Sequence, residues 1–229
     1  MASQRETQLL AVARELILEE GMVSFKFVEI AKRAEISRAT LYKHFSGKED
    51  VLVSLFVQDA NTTREMLINI QNDASLNDQE KLITALLAPV SISMEQKNRL
   101  GTAFLSANPG IYLFATQERQ DELMAITNQL RQVNTQLWMG PVQRGALKAT
   151  PEQLQSVMSS LYPYQRGCVI IPQSVMTLGN QISRSLNEVY DNLLAYTQPL
   201  DWQPGHQEVR YEKVLKAIGK YEQQSMIAC

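Results

Sequence analysis

The sequence predicts an all-α protein: a small N-terminal module of three short helices, joined through one long helix to a larger helical body. Three observations predict it. Apolar residues recur at three- and four-residue spacing along most of the 229 residues, no alternating stretch is long enough to read as a strand, and glycine, proline and polar cap residues fall where helices have to start and stop. Hydrophobic residues make up 45% of the chain and charged residues 20%, a balance that buries a core without help from metals or disulfides.

The elements follow in order. Leu9, Ala13, Leu16 and Ile17 share one helical face, with Ser3 and Glu6 in a capping-box spacing ahead of them and Gly21 as a left-handed stop. Val28, Ile30, Ala31 and Ala34 define a second helix, and Ser37 is an N-cap for a third that sets Leu41 and Phe45 four apart. Ser46 and Glu49 form another capping-box pattern, opening a long helix through Val51, Leu52, Leu55 and Phe56 to Ile70. The domain division drawn from this is 1–50 and 51–229. Breaks are expected at 72–78, 107–110, "MGP" (139–141), Pro163, Pro172 and 199–205. Thr150, Pro151 and Gln153 combine an N-cap, a first-turn proline and a capping-box partner, so a helix starts there. Pro172 is expected to open a long amphipathic helix through Val175, Leu178, Ile182, Leu186, Val189, Leu193 and Leu194 to Tyr196.

Charge is distributed unevenly. The chain carries −2 overall, yet between Lys26 and Lys48 six basic residues face two acidic ones, a local +4 that leaves −6 for the rest. A pI near 5.8 argues against bulk attraction to nucleic acid; a basic module on an acidic body meets phosphate with one face only. That module has the makings of a helix-turn-helix. Ala31 and Ala34 let two helices touch, Leu41 and Phe45 anchor the second helix from beneath, and Arg38, Thr40, Tyr42 and Lys43 furnish its other faces with donors.

On these residues the chain resembles the TetR family of one-component transcriptional regulators. The matching positions are Ile30, Ala31, Ala34, Ser37, Thr40, Leu41, Tyr42, His44, Phe45, Lys48, Glu49 and Leu52, and the resemblance covers about residues 5 to 56. It implies a helix-turn-helix DNA-binding domain in which Tyr42, His44 and Lys48 contact phosphates while Arg38, Ala39, Thr40 and Lys43 meet base edges, with Ser37 and Lys26 alongside. Taken singly, Tyr42 also reads as a half-buried core tyrosine, His44 as a helix-end histidine and Lys43 as a solvated lysine. Three departures stand out. Glu35 occupies the usual turn glycine, so the turn is expected to reshape slightly. Ala39 replaces a glycine of the recognition helix and favours helix. Phe27 stands where the family tends to have a Ser or Thr phosphate ligand, and is expected to pack instead.

The resemblance also implies that the remainder is a helical effector-binding and dimerisation domain. A homodimer follows physically as well, because one recognition helix reads only a few base pairs and two related by a two-fold axis read a palindromic operator in double-stranded DNA. The helices from Thr150 to Pro163 and from Pro172 to Tyr196 are candidates for the dimer face, or for intramolecular core. Phe104, Tyr112, Phe114, Trp138, Met139, Tyr162, Tyr164 and Arg166 are the material for an effector site, with core packing as the competing reading for the aromatic residues and Met139. The scarcity of charge around Trp138 and Tyr164 points to an apolar or aromatic small-molecule effector.

The function expected is a homodimeric repressor released by a small molecule, against an activator or a regulator controlled by a protein partner or by no ligand. A helical enzyme or adaptor that does not read DNA is the reading from another class, and no nucleophile–base pair, metal cluster or phosphate loop supports it. Neither cofactor nor metal is expected. The two cysteines, Cys168 and Cys229, make no framework, and Cys168 reads as an inert thiol. With no apolar run suited to a signal peptide or a membrane span, the expected location is the cytoplasm.

Overall fold

The computed structural model describes residues 4–95, 109–173, 185–206 and 208–227. The described helices are α1 (Gln4–Glu20), α2 (Phe27–Arg33), α3 (Arg38–Tyr42), α4 (Lys48–Asn72), α5 (Asp78–Glu95), α6 (Pro109–Leu113), α7 (Gln117–Gln143), α8 (Pro151–Ile170), α9 (Leu186–Thr197) and α10 (Tyr211–Ile227). Two strands, β1 (Leu147–Lys148) and β2 (Asp201–Trp202), pair antiparallel with Leu147 opposite Trp202. The fold is all-α, an N-terminal helix-turn-helix followed by a helical C-terminal domain. The chain divides into two compact units, one built on Met1–Asn61 and Asn98–Asn128, the other on Thr62–Lys97 and Gln129–Cys229.

In the first unit α1 contributes Leu9, Leu10, Ala13, Leu16 and Ile17 to a core shared with Ile30 and Ala31 of α2, Leu41 of α3, Phe45, and Val51, Leu52 and Leu55 of α4. Burying each large side chain of this set contributes about 1.5–3 kcal/mol. Gly21 ends α1 at φ +85°, its amide donating to the Ile17 carbonyl. Ser37 caps α3 as expected, its Oγ accepting from the Thr40 amide.

In the second unit α5 is the central helix, packed against α8, α9 and α10. Leu82, Ile83, Leu87, Ala88 and Val90 are buried along it, and so are the polar residues Gln79, Glu80, Thr84 and Ser91. Burial of polar groups requires partners. Lys213 of α10 donates to Glu80, Arg144 donates to Asp78 at 2.7 Å, and Gln165 of α8 donates to the Leu86 carbonyl at 2.6 Å, in the turn before Pro89. Thr150 and Gln153 form the expected capping box of α8, with Pro151 in the first turn.

Four expectations need correction. The helix α7 does not break at 139–141 but runs through Gly140 and Pro141 to Gln143, and Gly145 at φ +73° follows its end. A proline so near a C-terminus removes one hydrogen bond without unravelling the turns before it. Likewise α8 passes through Pro163 to Ile170, because Leu154 and Leu161 before the proline and Val169 after it are all buried. The helix expected from Pro172 to Tyr196 is not continuous: Pro172 lies in a 3₁₀ turn (Ile171–Gln173), and α9 starts at Leu186 under a capping box of Ser185 with Glu188. Val175, Leu178 and Ile182 lie outside the described residues, as do Ser3, Phe104 and Cys229. Finally, the Ser46 amide donates to Asp50, not Glu49, at 2.8 Å. The helix begins at Lys48, two residues after Ser46, so the acceptor three places into the helix is Asp50.

Candidate nucleic-acid interface

The turn between α2 and α3 places Glu35, at the usual glycine position, in a left-handed conformation. Glu35 itself takes φ +52°, its amide donating to the Lys32 carbonyl at 3.2 Å, and the Ile36 amide closes back on Ala31 at 2.9 Å. A non-glycine residue held at positive φ stores strain at Glu35. Ala31, almost fully buried, and half-buried Ala34 sit in the core where α2 meets α3.

On this support α3 is held from beneath by Leu41 and Phe45, 0% and 1% exposed. Arg38, Ala39, Tyr42 and Lys43 are exposed, while Thr40 and His44 are half-buried. Ser37 and Thr40 bond one another through their hydroxyls at 2.8 Å. Phe27, at the start of α2, packs as expected: its ring meets that of Tyr42 edge-on, 5.3 Å between centroids. Tyr42 is therefore braced although it is 54% exposed. Lys26 is the exposed residue immediately before α2 and makes no side-chain cap bond.

Several of the six cations counted in this segment are spent inside the protein. Arg33 forks onto Glu19 of α1 with bonds of 2.8 and 2.7 Å, which lowers the Glu19 carboxyl below its usual value. Lys32 meets Glu29 at 3.3 Å. Lys48 donates to the carbonyls of Val23 and Phe25 at 2.7 and 3.2 Å and stands 4.3 Å above the Phe25 ring. Burial pulls its pKa below the ordinary lysine value, against the raising influence of Glu49. Lys48 thus secures the connector between α1 and α2, leaving one of its three donors over. Lys26, Arg38 and Lys43 are exposed outside these contacts, and Lys32 stays 80% exposed despite its pair with Glu29.

Residues far along the chain complete the same unit. Arg119, in the first turn of α7, is 7% exposed. Its Nη1 donates to Glu122 at 2.7 Å, and its Nη2 lies 2.6 Å from Glu6 and donates to the His44 carbonyl at 3.2 Å. The guanidinium carbon is 5.4 Å from the centre of the Phe45 ring. Burial opposes its charge, but the bond to Glu122 and the charge of Glu6 hold the group above the ordinary arginine value. The Thr116 amide donates to Asp50 at 2.7 Å. Sequence reasoning missed these residues, and no signal in the sequence separates Arg119 from the other charged residues of a polar helix.

The residues proposed for an effector are distributed differently. Tyr112 belongs to the first unit, whereas Trp138, Tyr162, Tyr164 and Arg166 belong to the second. Trp138 is 5% exposed and Tyr162 67%; the latter lies on the surface of its unit. Tyr164 is half-buried against Tyr196 of α9, 5.7 Å between ring centres. A cleft of about 340 Å³ opens instead beside Asn69, Asn72, Asp73, Ala74, Lys220 and Tyr221, a polar lining that includes none of the predicted aromatic residues.

Comparison with known proteins centres on the N-terminal module. The family model for bacterial regulatory proteins of the tetR family matches residues 9–55. The chain is 26% identical over 106 residues to the HTH-type transcriptional regulator HbdR of Aromatoleum sp. (strain CIB), covering 46% of each chain. It is 31% identical over 134 residues to the nucleoid occlusion factor SlmA of Pectobacterium carotovorum, covering 56% of this chain and 60% of that one. These matches span about half the length of the curated relatives. Among solved structures, the transcriptional regulator FadR from Bacillus subtilis in complex with stearoyl-CoA superposes with a TM-score of 0.57 at 20% identity, over 82% of this chain and 95% of that one. No helix among the described residues is long and apolar enough to cross a membrane.

Proposed function

We propose, from the premise that the chain belongs through its N-terminal module to the TetR family of bacterial regulatory proteins, that it is a sequence-specific DNA-binding transcriptional regulator. It acts as a homodimeric repressor on a palindromic operator and is released by a small-molecule effector. In this reading residues 1–50 bind DNA, 51–229 bind effector and dimerise, and the protein works in the cytoplasm as a regulator and not an enzyme. The observation that carries it is the outward row of Arg38, Ala39, Tyr42 and Lys43, exposed above the buried anchors Leu41 and Phe45.

Arg38 and Lys43 reach base edges, Arg38 with the fork that matches guanine. Tyr42, braced by Phe27, and Lys26 take phosphates; Ser37 and Thr40 keep the helix start in shape, with Ala39 packed close to the groove. His44 and the remaining donor of Lys48 lie at the far end of the same helix. The effector is apolar or aromatic, received in the second unit by Trp138, Tyr164 and Arg166.

Selection from random duplexes at low salt tests the reading: a palindrome with half-sites one helical turn apart should be enriched, and enrichment of none would make it wrong. With the operator known, Arg38→Ala should relax preference at one position of each half-site, whereas Tyr42→Phe should weaken all duplexes alike. Thermal shifts against apolar and aromatic metabolites, with Trp138→Leu as control, test the effector; a ligand that stabilises both proteins equally binds elsewhere.

A further inference from the structure

A helix of five residues does not hold its own orientation, because so short a helix is marginal without tertiary support. Leu41 and Phe45 fix α3 from below, yet two apolar anchors leave it free to rock about the line joining them. Besides its packing on α2 and the Phe27–Tyr42 contact, what can restrain such rocking is whatever holds the chain just past its end. That stretch runs from His44 to Asp50 and is gripped at two points by one turn of α7. Arg119 donates to the His44 carbonyl, two residues past the end of α3. Asp50, 3% exposed, accepts from the Ser46 amide with one oxygen and from the Thr116 amide with the other. Arg119 and Asp50 are themselves buried, at 7% and 3% exposure, though the bonds they make are only partly shielded from water.

The choice of side chain fits the task. Arg119 divides its donors among Glu122, Glu6 of α1 and the His44 carbonyl while its guanidinium carbon stands 5.4 Å from the centre of the Phe45 ring. A planar fork satisfies three partners in fixed directions; a lysine ammonium, being a point charge, does not fix them in the same way. The partners come from α1, from the chain following α3 and from α7 itself, so the contact defines the orientation of α3 relative to its own unit.

We propose that Arg119, assisted by the Thr116 amide, is a positioning residue for DNA recognition: it sets the angle at which α3 presents Arg38, Thr40 and Lys43, without touching DNA. This rests on the DNA-reading function proposed above. The discriminating property is selectivity. A misaligned α3 loses base contacts, which demand geometry, but keeps phosphate attraction, which does not.

The test uses full-length Arg119→Lys, Arg119→Gln and Glu122→Gln, the last removing one partner from the exposed side. Dissociation constants for the selected operator and for a scrambled duplex of equal length are measured by fluorescence anisotropy at several salt concentrations. Circular dichroism melts give the folded fraction. Arg119→Gln should weaken operator binding about tenfold, Arg119→Lys less and Glu122→Gln least, with scrambled-duplex affinity and the salt slope unchanged. Equal loss on both duplexes in step with the folded fraction would mean a stabilising role only. A salt slope lower by about one would mean a phosphate contact. Unchanged selectivity would mean no role. Each of these three overturns the proposal. Amide exchange without DNA separates it from the reading beneath it: the amides of His44, Phe45 and Ser46 should exchange faster in Arg119→Gln than those of α1. If the wild type prefers no duplex, the DNA reading fails on its own; uniform exchange across the unit sinks the positioning role whatever DNA does.

Discussion

In the first unit the hydrogen bonds that shape α2, α3 and the turn between them join residues three to five apart, Ser37 to Thr40 and Ile36 to Ala31 among them. In the second unit several side-chain bonds join residues far apart in the chain, Glu80 to Lys213 and Asp73 to Tyr221 among them. The difference lies in what each unit must keep constant. A module of short helices needs each turn and cap fixed locally, over a compact apolar core. A helical body whose central helix α5 is buried along most of its length carries buried polar groups such as Glu80, for which another helix supplies a charged partner, while Thr84 turns back on the Glu80 carbonyl. Prolines tell the same story: Pro89, Pro141 and Pro163 all lie within helices whose packing outweighs the local defect.

The comparison can be broken or sharpened by substitution, taken from the largest expected effect down. Leu41→Ala removes a fully buried anchor and should destabilise the first unit by about 4 kcal/mol; hydrogen exchange should show the loss in α1–α3 and spare α8–α10. Lys213→Met leaves Glu80, 1% exposed, without its cation and should cost about 3 kcal/mol in urea unfolding. Combining it with Glu80→Leu should recover most of that loss, and a double variant no better than the single would mean that the pair is not coupled.

Asp73 gives a smaller, pH-dependent effect. Its carboxyl is held well below the ordinary value of 3.8, chiefly by the Ser75 hydroxyl, and further by Tyr221 and Lys220, against an opposing influence of burial. A depressed carboxyl adds stability above its unfolded value and loses it as pH falls through the folded one. Asp73→Asn should therefore cost about 1 kcal/mol at neutral pH, and wild type and variant should converge as pH drops below 4; a gap that persists in acid would point to shape, not charge. The smallest effect expected is a gain. Glu35→Gly relieves a left-handed residue worth about 1–2 kcal/mol but frees the unfolded chain by about half as much. A net stabilisation near 0.5 kcal/mol should follow in thermal melts, with α3 unmoved.

Legibility followed the range of the interactions. The stop at Gly21, the cap at Ser37, the anchors Leu41 and Phe45 and the capping box of Thr150 with Gln153 were readable because each depends on neighbours within a turn or two. The break expected at Pro163 was misread for the converse reason, since the burial that carries α8 across it comes from other helices. The same limit applied to charge. The count of +4 between Lys26 and Lys48 was right as arithmetic, but Arg33 is taken by Glu19 and Lys48 by the carbonyls of Val23 and Phe25.

By itself the sequence determined the all-α class and the helix-turn-helix of the N-terminal module, because periodicity, caps and anchors act over a few residues and are written consecutively. Tertiary structure alone decided that Glu35 accepts a left-handed conformation, that Asp50 rather than Glu49 closes the corner after α3, and that Arg119, seventy-five positions after His44, reaches its carbonyl. A buried charge goes where partners from several elements converge, and that place exists only once the chain has folded.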